Sequence, residues 1–302
     1  MEAMEANASR QSLGLSVIVI TKNEASRLGD CLASVQFADE IIVLDGFSTD
    51  ATADIARAHG AQVHQAADWP GFGPQKNRVL ALATQPWVLS IDADERVTPE
   101  LQAEIVQTLA HPSYDGYQIA RLSEFCGKKI RHSGWWPDYV LRLFRRELGT
   151  FDNVPVHEQV LVQGRVGTLK FWLLHFPFDN LEALVAKMNR YSTDAAHTMA
   201  LKGRRVGVFG LITHSVWTFI RIYLLRRGFL DGRHGFVLAV TAASGSFLRY
   251  SKLMFLNEAN QRPQPGLVNQ TQQPTQSGAT NQANPSLKSG LLNQTQERAE
   301  PK

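Results

Sequence analysis

Asp92 and Asp94 lie two residues apart in the segment WVLSIDADE at 87–95, directly after a hydrophobic run. Two carboxylates at that spacing beyond a strand can converge on one hard cation, and oxygen ligands select Mg²⁺ or Mn²⁺. A cation held by one or two protein carboxylates keeps coordination positions free for the oxygens of a diphosphate. Asp-x-Asp alone is a common surface pattern; its place at the end of a strand gives it weight. Two more polar groups close apolar runs in the same way: Thr21, Asn23 and Glu24 follow LSVIVI at 15–20, and Asp45 ends EIIVLD at 40–45. Lys76, Arg142 and Arg145 can approach phosphates, with ordinary solvated side chains as the alternative. Cys31 shares a helical face with Leu28, Leu32 and Val35, which reads as core rather than nucleophile.

The elements that must carry these residues follow from hydrophobic periodicity. LSVIVI, EIIVLD, AQVHQ at 61–65 and WVLSIDADE read as strands; helical patterns cover the stretch after Asn23, residues 50–59 and 75–84. Strands alternating with helices of about ten residues predict a mainly parallel sheet covered on both faces. In such sheets ligands bind beyond the carboxyl ends of the strands, so the three polar clusters must face one crevice. Thr98 and Pro99 then open a helix over 99–110 as N-cap and first residue. GYQIAR, SGWWPDYVLRLFRR, EQVLV and LKFWLL read as further, partly antiparallel strands. No Gly-x-Gly-x-x-Gly or Gly-Lys-Ser/Thr loop occurs among the first four strands, which disfavours dinucleotide binding and P-loop hydrolysis.

The net charge of +3 is a sum of unlike parts. Residues 1–120 hold 7 basic and 16 acidic side chains, whereas 121–260 hold 20 and 10. That division fits an acidic cation site and a basic surface for phosphates or anionic lipid; uneven solvated faces explain it equally well. From 181 the pattern turns helical, with Leu181, Leu184, Val185, Met188 and Tyr191 on one face. Residues 206–225 carry one charge, Arg221, and end at Arg226 and Arg227; 236–248 carry none. A span needs ~20 apolar residues, so a helix lying in the headgroup plane is the preferred reading and a buried helical hairpin the alternative. Residues 261–302 hold 28 Gln, Asn, Pro, Ser, Thr or Gly among 42, the composition of a disordered tail. The first twelve residues lack a basic region followed by an apolar stretch, so a cytoplasmic catalytic part is expected. Two cysteines make an oxidised framework unexpected.

The ordered set VIVITKNE, IIVLDGFSTD, Gly73 to Asn77 and LSIDADE resembles the nucleotide-diphospho-sugar half of glycosyltransferase family 2. With Trp135-Trp136-Pro137-Asp138, Leu141-Arg142-Leu143-Phe144 and Val156-His157-Glu158, it is similar to the lipooligosaccharide-core β-1,4-glucosyltransferase subgroup, over residues 13–255. The resemblance implies a GT-A, Rossmann-like α/β fold over 13–178, mainly parallel with antiparallel additions. A flexible 1–12, a membrane-associated helical region over 179–256 and a disordered 257–302 complete the expected organisation. It further implies that Thr21, Asn23 and Glu24 border a nucleotide pocket, that Asp45 contacts the base, and that Asp94 with Asp92 binds metal and sugar nucleotide, with Lys76 near the phosphates. His175 is implied as a third metal ligand, a core or surface histidine being the alternative. Glu158 is the expected general base and Asp138 the second choice. Many members carry a second acid after the position of Asp45; here Gly46 follows.

The activity so implied is inverting transfer of a sugar, glucose in that subgroup, from a nucleotide-diphosphate donor with a divalent cation. The expected acceptor is a lipopolysaccharide-core or lipid-linked glycan at the cytoplasmic face of a membrane. A protein or polysaccharide acceptor and a catalytically silent glycan-binding scaffold are the alternatives. No nucleic-acid-binding motif is present, so the basic section is not read as a nucleic-acid surface.

Overall fold

A computed structural model describes residues 12–152, 159–178 and 180–261. Glu158 and the tail beyond 261 lie outside the described residues, as does the N-terminus through 11. The chain opens with β1 (Leu15–Thr21), α1 (Ala25–Ala33), β2 (Glu40–Asp45), α2 (Thr52–Ala58), β3 (Gln62–Gln65), α3 (Phe72–Leu80) and β4 (Trp87–Ser90). It continues with β5 (Glu95–Val97), α4 (Pro99–Ala110), β6 (Gly116–Phe125), β7 (Lys128–Lys129), β8 (Asp138–Arg145), β9 (Gly149–Phe151), β10 (Val160–Val162) and β11 (Val166–His175). The helices α5 (Leu181–Leu201), α6 (Val208–Ile220) and α7 (Gly232–Gln261) follow.

The sheet runs β3-β2-β1-β4-β8-β6-β11-β5, with β7 paired to β6. The first four strands are parallel, β8 is antiparallel to both neighbours, and β5 closes the far edge antiparallel to β11. This is the mixed α/β architecture of the GT-A type. Alternation along β1 and β2 feeds two cores: Val17, Val19, Ile41 and Val43 face α1 and α4, while Ile18, Ile20, Ile42 and Leu44 face α3. Both strands are buried along their whole length, as strands covered on both faces must be.

WVLSIDADE is not one strand. It breaks after Ser90, and Glu95 starts β5 four positions away in the sheet. Five residue steps reach at most ~17 Å, whereas four strand spacings in a flat sheet amount to ~19 Å. The sheet therefore curls, and the turn carrying Asp92, Ala93 and Asp94 crosses its inside. A hydrogen bond from Asp92 N to Glu95 Oε2 at 3.1 Å and one from Glu95 N to Asp92 O at 2.9 Å close that turn.

α4 begins as its sequence requires, with Thr98 Oγ1 accepting from Leu101 N at 3.2 Å and Pro99 first in the helix. α3 starts at Phe72, three residues before the periodicity indicates. Along α5 the inward residues are Leu184, Ser192 and Ala196, while Leu181, Val185 and Tyr191 are exposed; the apolar stripe read from spacing is rotated toward solvent. α6 and the π-helical turn Arg221–Leu225 form one apolar stretch, Val208–Leu225, of 18 residues with mean hydropathy 1.5. It is long and apolar enough to cross a membrane by length and composition, and only 6% of it is buried. α7 is a single helix of 30 residues rather than a short apolar segment.

Candidate active site

The acids after β4 are set by the curl. β5 pairs with β11 in the register His175↔Glu95, and β11 pairs with β6 in the register His175↔Ser123. β6 in turn sets Arg121 opposite Asp138 of β8. Four strands thus deliver Asp92, Asp94, Glu95, Arg121, Ser123, Asp138 and His175 to one end of the sheet.

Asp92 and Asp94 do not converge on one point. Asp92 Oδ1 accepts from Lys76 Nζ at 2.8 Å, and its Oδ2 accepts from Arg142 Nη2. Both cationic side chains are almost fully buried, Lys76 at 3% and Arg142 at 7% side-chain exposure, so Asp92 is their counterion. Burial works against the charged carboxylate, but Arg142 and Lys76 outweigh it and hold Asp92 well below the usual carboxylate range. Burial likewise disfavours the Arg142 guanidinium, and Asp92 with Glu95 more than restores it. Lys76 and Arg142, read from the sequence as able to approach phosphates, are both paired here with Asp92, and each Asp92 oxygen accepts one of these bonds. Arg145, the third, lies over Trp87 at 4.8 Å and beside Asp115 at 3.5 Å.

The charges alternate across the sheet. Arg142 also donates to the fully buried Glu95 at 2.6 Å, Arg121 reaches the same Glu95 oxygen at 3.4 Å, and Arg121 Nε and Nη2 donate to Asp138 Oδ2 at 2.9 and 2.6 Å. Lys76, Asp92, Arg142, Glu95, Arg121 and Asp138 form one chain of opposite signs. Glu95 and Arg121 carry no signal in the sequence beyond their places next to Asp94 and inside a strand; only the pairing of β5, β6 and β8 reveals them.

Asp94 has different partners. Its Oδ2 is 3.5 Å from His175 Nε2, while His175 Nδ1 is 2.9 Å from Ser123 Oγ, a partner that orients the ring. Its backbone oxygen accepts from Phe176 N at 2.9 Å. Among the described residues no group of three His, Cys, Asp or Glu side chains could hold an ion. One carboxylate and one imidazole nonetheless fit a cation that takes its remaining ligands from a diphosphate. Beside this pair a cleft of about 400 Å³ is lined by Ser123, Trp135, Asp138, His175, Phe178 and Lys187. Burial lowers the Lys187 ammonium and Asp94 partly offsets that. Asp138 is 43% exposed, and both Arg121 bonds go to its Oδ2 rather than to Oδ1.

The expected nucleotide residues lie at the carboxyl ends of β1 and β2, where Thr21 pairs with Asp45. Asn23 Oδ1 accepts from Thr49 N at 2.8 Å, Asn23 N donates to Ser48 Oγ at 2.8 Å, and Glu24 N donates to Thr52 Oγ1 at 2.9 Å. These bonds lock the two loops together. Asp45 is fully buried and accepts from Ser48 N at 3.0 Å and Gln65 Nε2 at 3.1 Å. Thr21 Oγ1 is buried without a partner among the described residues. Gly46 has a local reason: a Cβ there would come within 3.2 Å of the Trp69 ring, so the indole fills the space of a second acid.

Comparison with known proteins decides the family. The family model "Glycosyl transferase family 2" matches residues 16–164. A Rickettsia prowazekii protein named an uncharacterized glycosyltransferase is 33% identical over 82% of this chain and 89% of its own length. The chain belongs to glycosyltransferase family 2. Within the family, the lipopolysaccharide core biosynthesis glycosyltransferase LpsC of Rhizobium meliloti is 32% identical, covering 83% of this chain and 96% of LpsC. A solved structure, TarS of S. aureus, is more distant at 16% identity, with 82% of this chain and 92% of that one covered and a TM-score of 0.42. As a family 2 glycosyltransferase the protein is an enzyme, and the end of the sheet that gathers Asp94, His175 and Asp138 is its candidate active site.

Proposed function

We propose that this glycosyltransferase moves a hexose, glucose by resemblance, from a nucleoside-diphosphate donor to a lipopolysaccharide-core or lipid-linked glycan, with inversion, at the cytoplasmic face of a membrane. The observation that carries the reading is the cleft lined by His175 and Asp138, with Asp94 Oδ2 3.5 Å from His175 Nε2. The acceptor part is supported by the likeness to LpsC over nearly the whole of both chains.

Asp94 and His175 would hold a Mg²⁺ or Mn²⁺ ion, which when bound supplies positive charge to the departing diphosphate. Asp138 Oδ1 takes the acceptor hydroxyl proton as that oxygen bonds to the anomeric carbon and the bond to the diphosphate breaks. Arg121, fixed by Glu95, holds the other Asp138 oxygen and so sets the direction of the free one. A positioned carboxylate contributes ~10²–10⁴-fold as a base. Asp92, Lys76 and Arg142 keep the turn under Asp94 rigid. The loops at Asn23 and Ser48 form the nucleotide side, with Thr21 Oγ1 as an available polar atom.

The test is transfer from labelled nucleotide sugars to core oligosaccharide acceptors, with and without Mn²⁺. Asp138→Asn is expected to bind donor with unchanged affinity and lose turnover, whereas Asp94→Asn is expected to lose donor binding and cation dependence together. Wild-type turnover by Asp138→Asn would remove it as the base. Transfer only to peptide or to polysaccharide would replace the acceptor while leaving the chemistry intact.

A further inference from the structure

Helices α5, α6 and α7 enclose a second cleft of about 420 Å³. α5 borders both clefts, giving Lys187 to the active-site side and Met188, Tyr191 and Ser192 to this one. Its chemistry is one-sided. The lining contains Arg221, Arg249 and His214 and no acidic residue. Neither guanidinium has an ion pair among the described residues, and Arg249 Nε is shielded from solvent without a hydrogen-bond partner. The His214 ring stacks on Tyr250 at 4.3 Å, and the two arginines are the permanently charged donors of the lining. A guanidinium presents a planar fork of donors matched to phosphate oxygens.

The surroundings say what carries the phosphate. Phe209 is 82% exposed, Val208 60% and Trp217, which lines the cleft, 53%. Leu225 and Leu230 are exposed as well. Free guanidiniums beside an uncovered apolar helix are complementary to an amphiphile with an anionic head. We propose that the cleft between α5, α6 and α7 binds the phosphate of an anionic bilayer lipid through Arg221 and Arg249, with α6 resting in the acyl boundary. This rests on the membrane part of the proposed function and not on its chemistry.

The test uses the full chain and phosphatidylcholine vesicles with and without phosphatidylglycerol, read by co-sedimentation. R204Q/R205Q removes two exposed arginines between α5 and α6, outside the cleft, and reports the loss of ordinary surface charge. R221Q/R249Q is expected to bind anionic vesicles roughly tenfold more weakly than that control, with donor-induced thermal stabilisation unchanged. Arg221→Gln alone, at an exposed position, is the second variant if the double change unfolds α7, and it too is expected to bind more weakly than Arg204→Gln. Equal losses in cleft and control variants would overturn the cleft while sparing the membrane reading. Absence of any vesicle binding by the wild type would overturn both. Arginine-dependent stabilisation by inorganic phosphate without vesicle binding would assign the cleft to a free anion and overturn the lipid.

Discussion

Asp92 and Asp94 look equivalent in sequence and occupy opposite roles in space. Asp92 neutralises Lys76 and Arg142, so Asp92→Ala removes the carboxylate these two buried cations share, Arg142 keeping Glu95, and is expected to cost ~3 kcal/mol in chemical denaturation. Because its folded pKa is depressed, the stability it contributes is present above the unfolded value of about 3.9 and is lost as pH falls below it. Thermal melts should therefore hold steady from neutral pH to mildly acid and drop steeply below about 4. That acid limb should flatten in Asp92→Asn. Asp94 and Asp138, which support no such buried cation pair, are expected to lose turnover by ~10²-fold or more as Asn variants with little change in melting temperature. Cys31 is fully buried, and burial with nearby Glu95 pushes its thiol up, whereas Cys126 is exposed. One equivalent of an alkylating reagent should react with the native enzyme, at Cys126, and two after unfolding.

At the scale of elements, the active site depends on how β5, β6, β8 and β11 meet, and on one carboxylate that ties the helices to them. Asp231, 2% exposed at the start of α7, accepts from Arg131 N at 3.2 Å, His132 N at 3.1 Å and Ser133 Oγ at 2.9 Å. These residues lead into Trp135 and Asp138, which line the candidate active-site cleft. Asp231→Ala leaves two backbone donors unpaired, an expected loss of ~2 kcal/mol. It should also raise KM for the acceptor more than for the donor, since the nucleotide loops are held separately by Asn23, Ser48 and Thr52. Thr98→Ala, which removes only the cap of α4, should cost ~1 kcal/mol without altering either KM. Element starts such as Thr98-Pro99 were legible because capping is a local matter. The stripe of α5 was not, because which side of a helix is inward depends on the sheet and helices beside it.

For the whole molecule, the acidic and basic sections of the chain resolve into different surroundings. Several of the acids in the first 120 residues meet basic partners inside the fold, as Asp92 and Glu95 do, and part of the basic section, Arg221 after α6 and Arg249 in α7, has no ion pair among the described residues. α6 leaves Val208, Phe209, Ile212, Val216 and Trp217 exposed, and Phe209→Asp with Trp217→Asp is expected to weaken vesicle binding while donor binding is retained. Equal vesicle binding by that variant would exclude α6 as the contact. The amino-acid sequence by itself determined the α/β series, the strand ends that carry Thr21 and Asp45, the start of α4 and the family, because periodicity, caps and ordered motifs are properties of near neighbours in the chain. Only the tertiary structure decided that Asp92 is a counterion, that Glu95 and Arg121 link it to Asp138, and that Trp69 takes the space beside Gly46. Those are meetings of residues up to 50 apart in the chain, such as Asp92 with Arg142. A curled sheet creates them, and no local pattern encodes its curl.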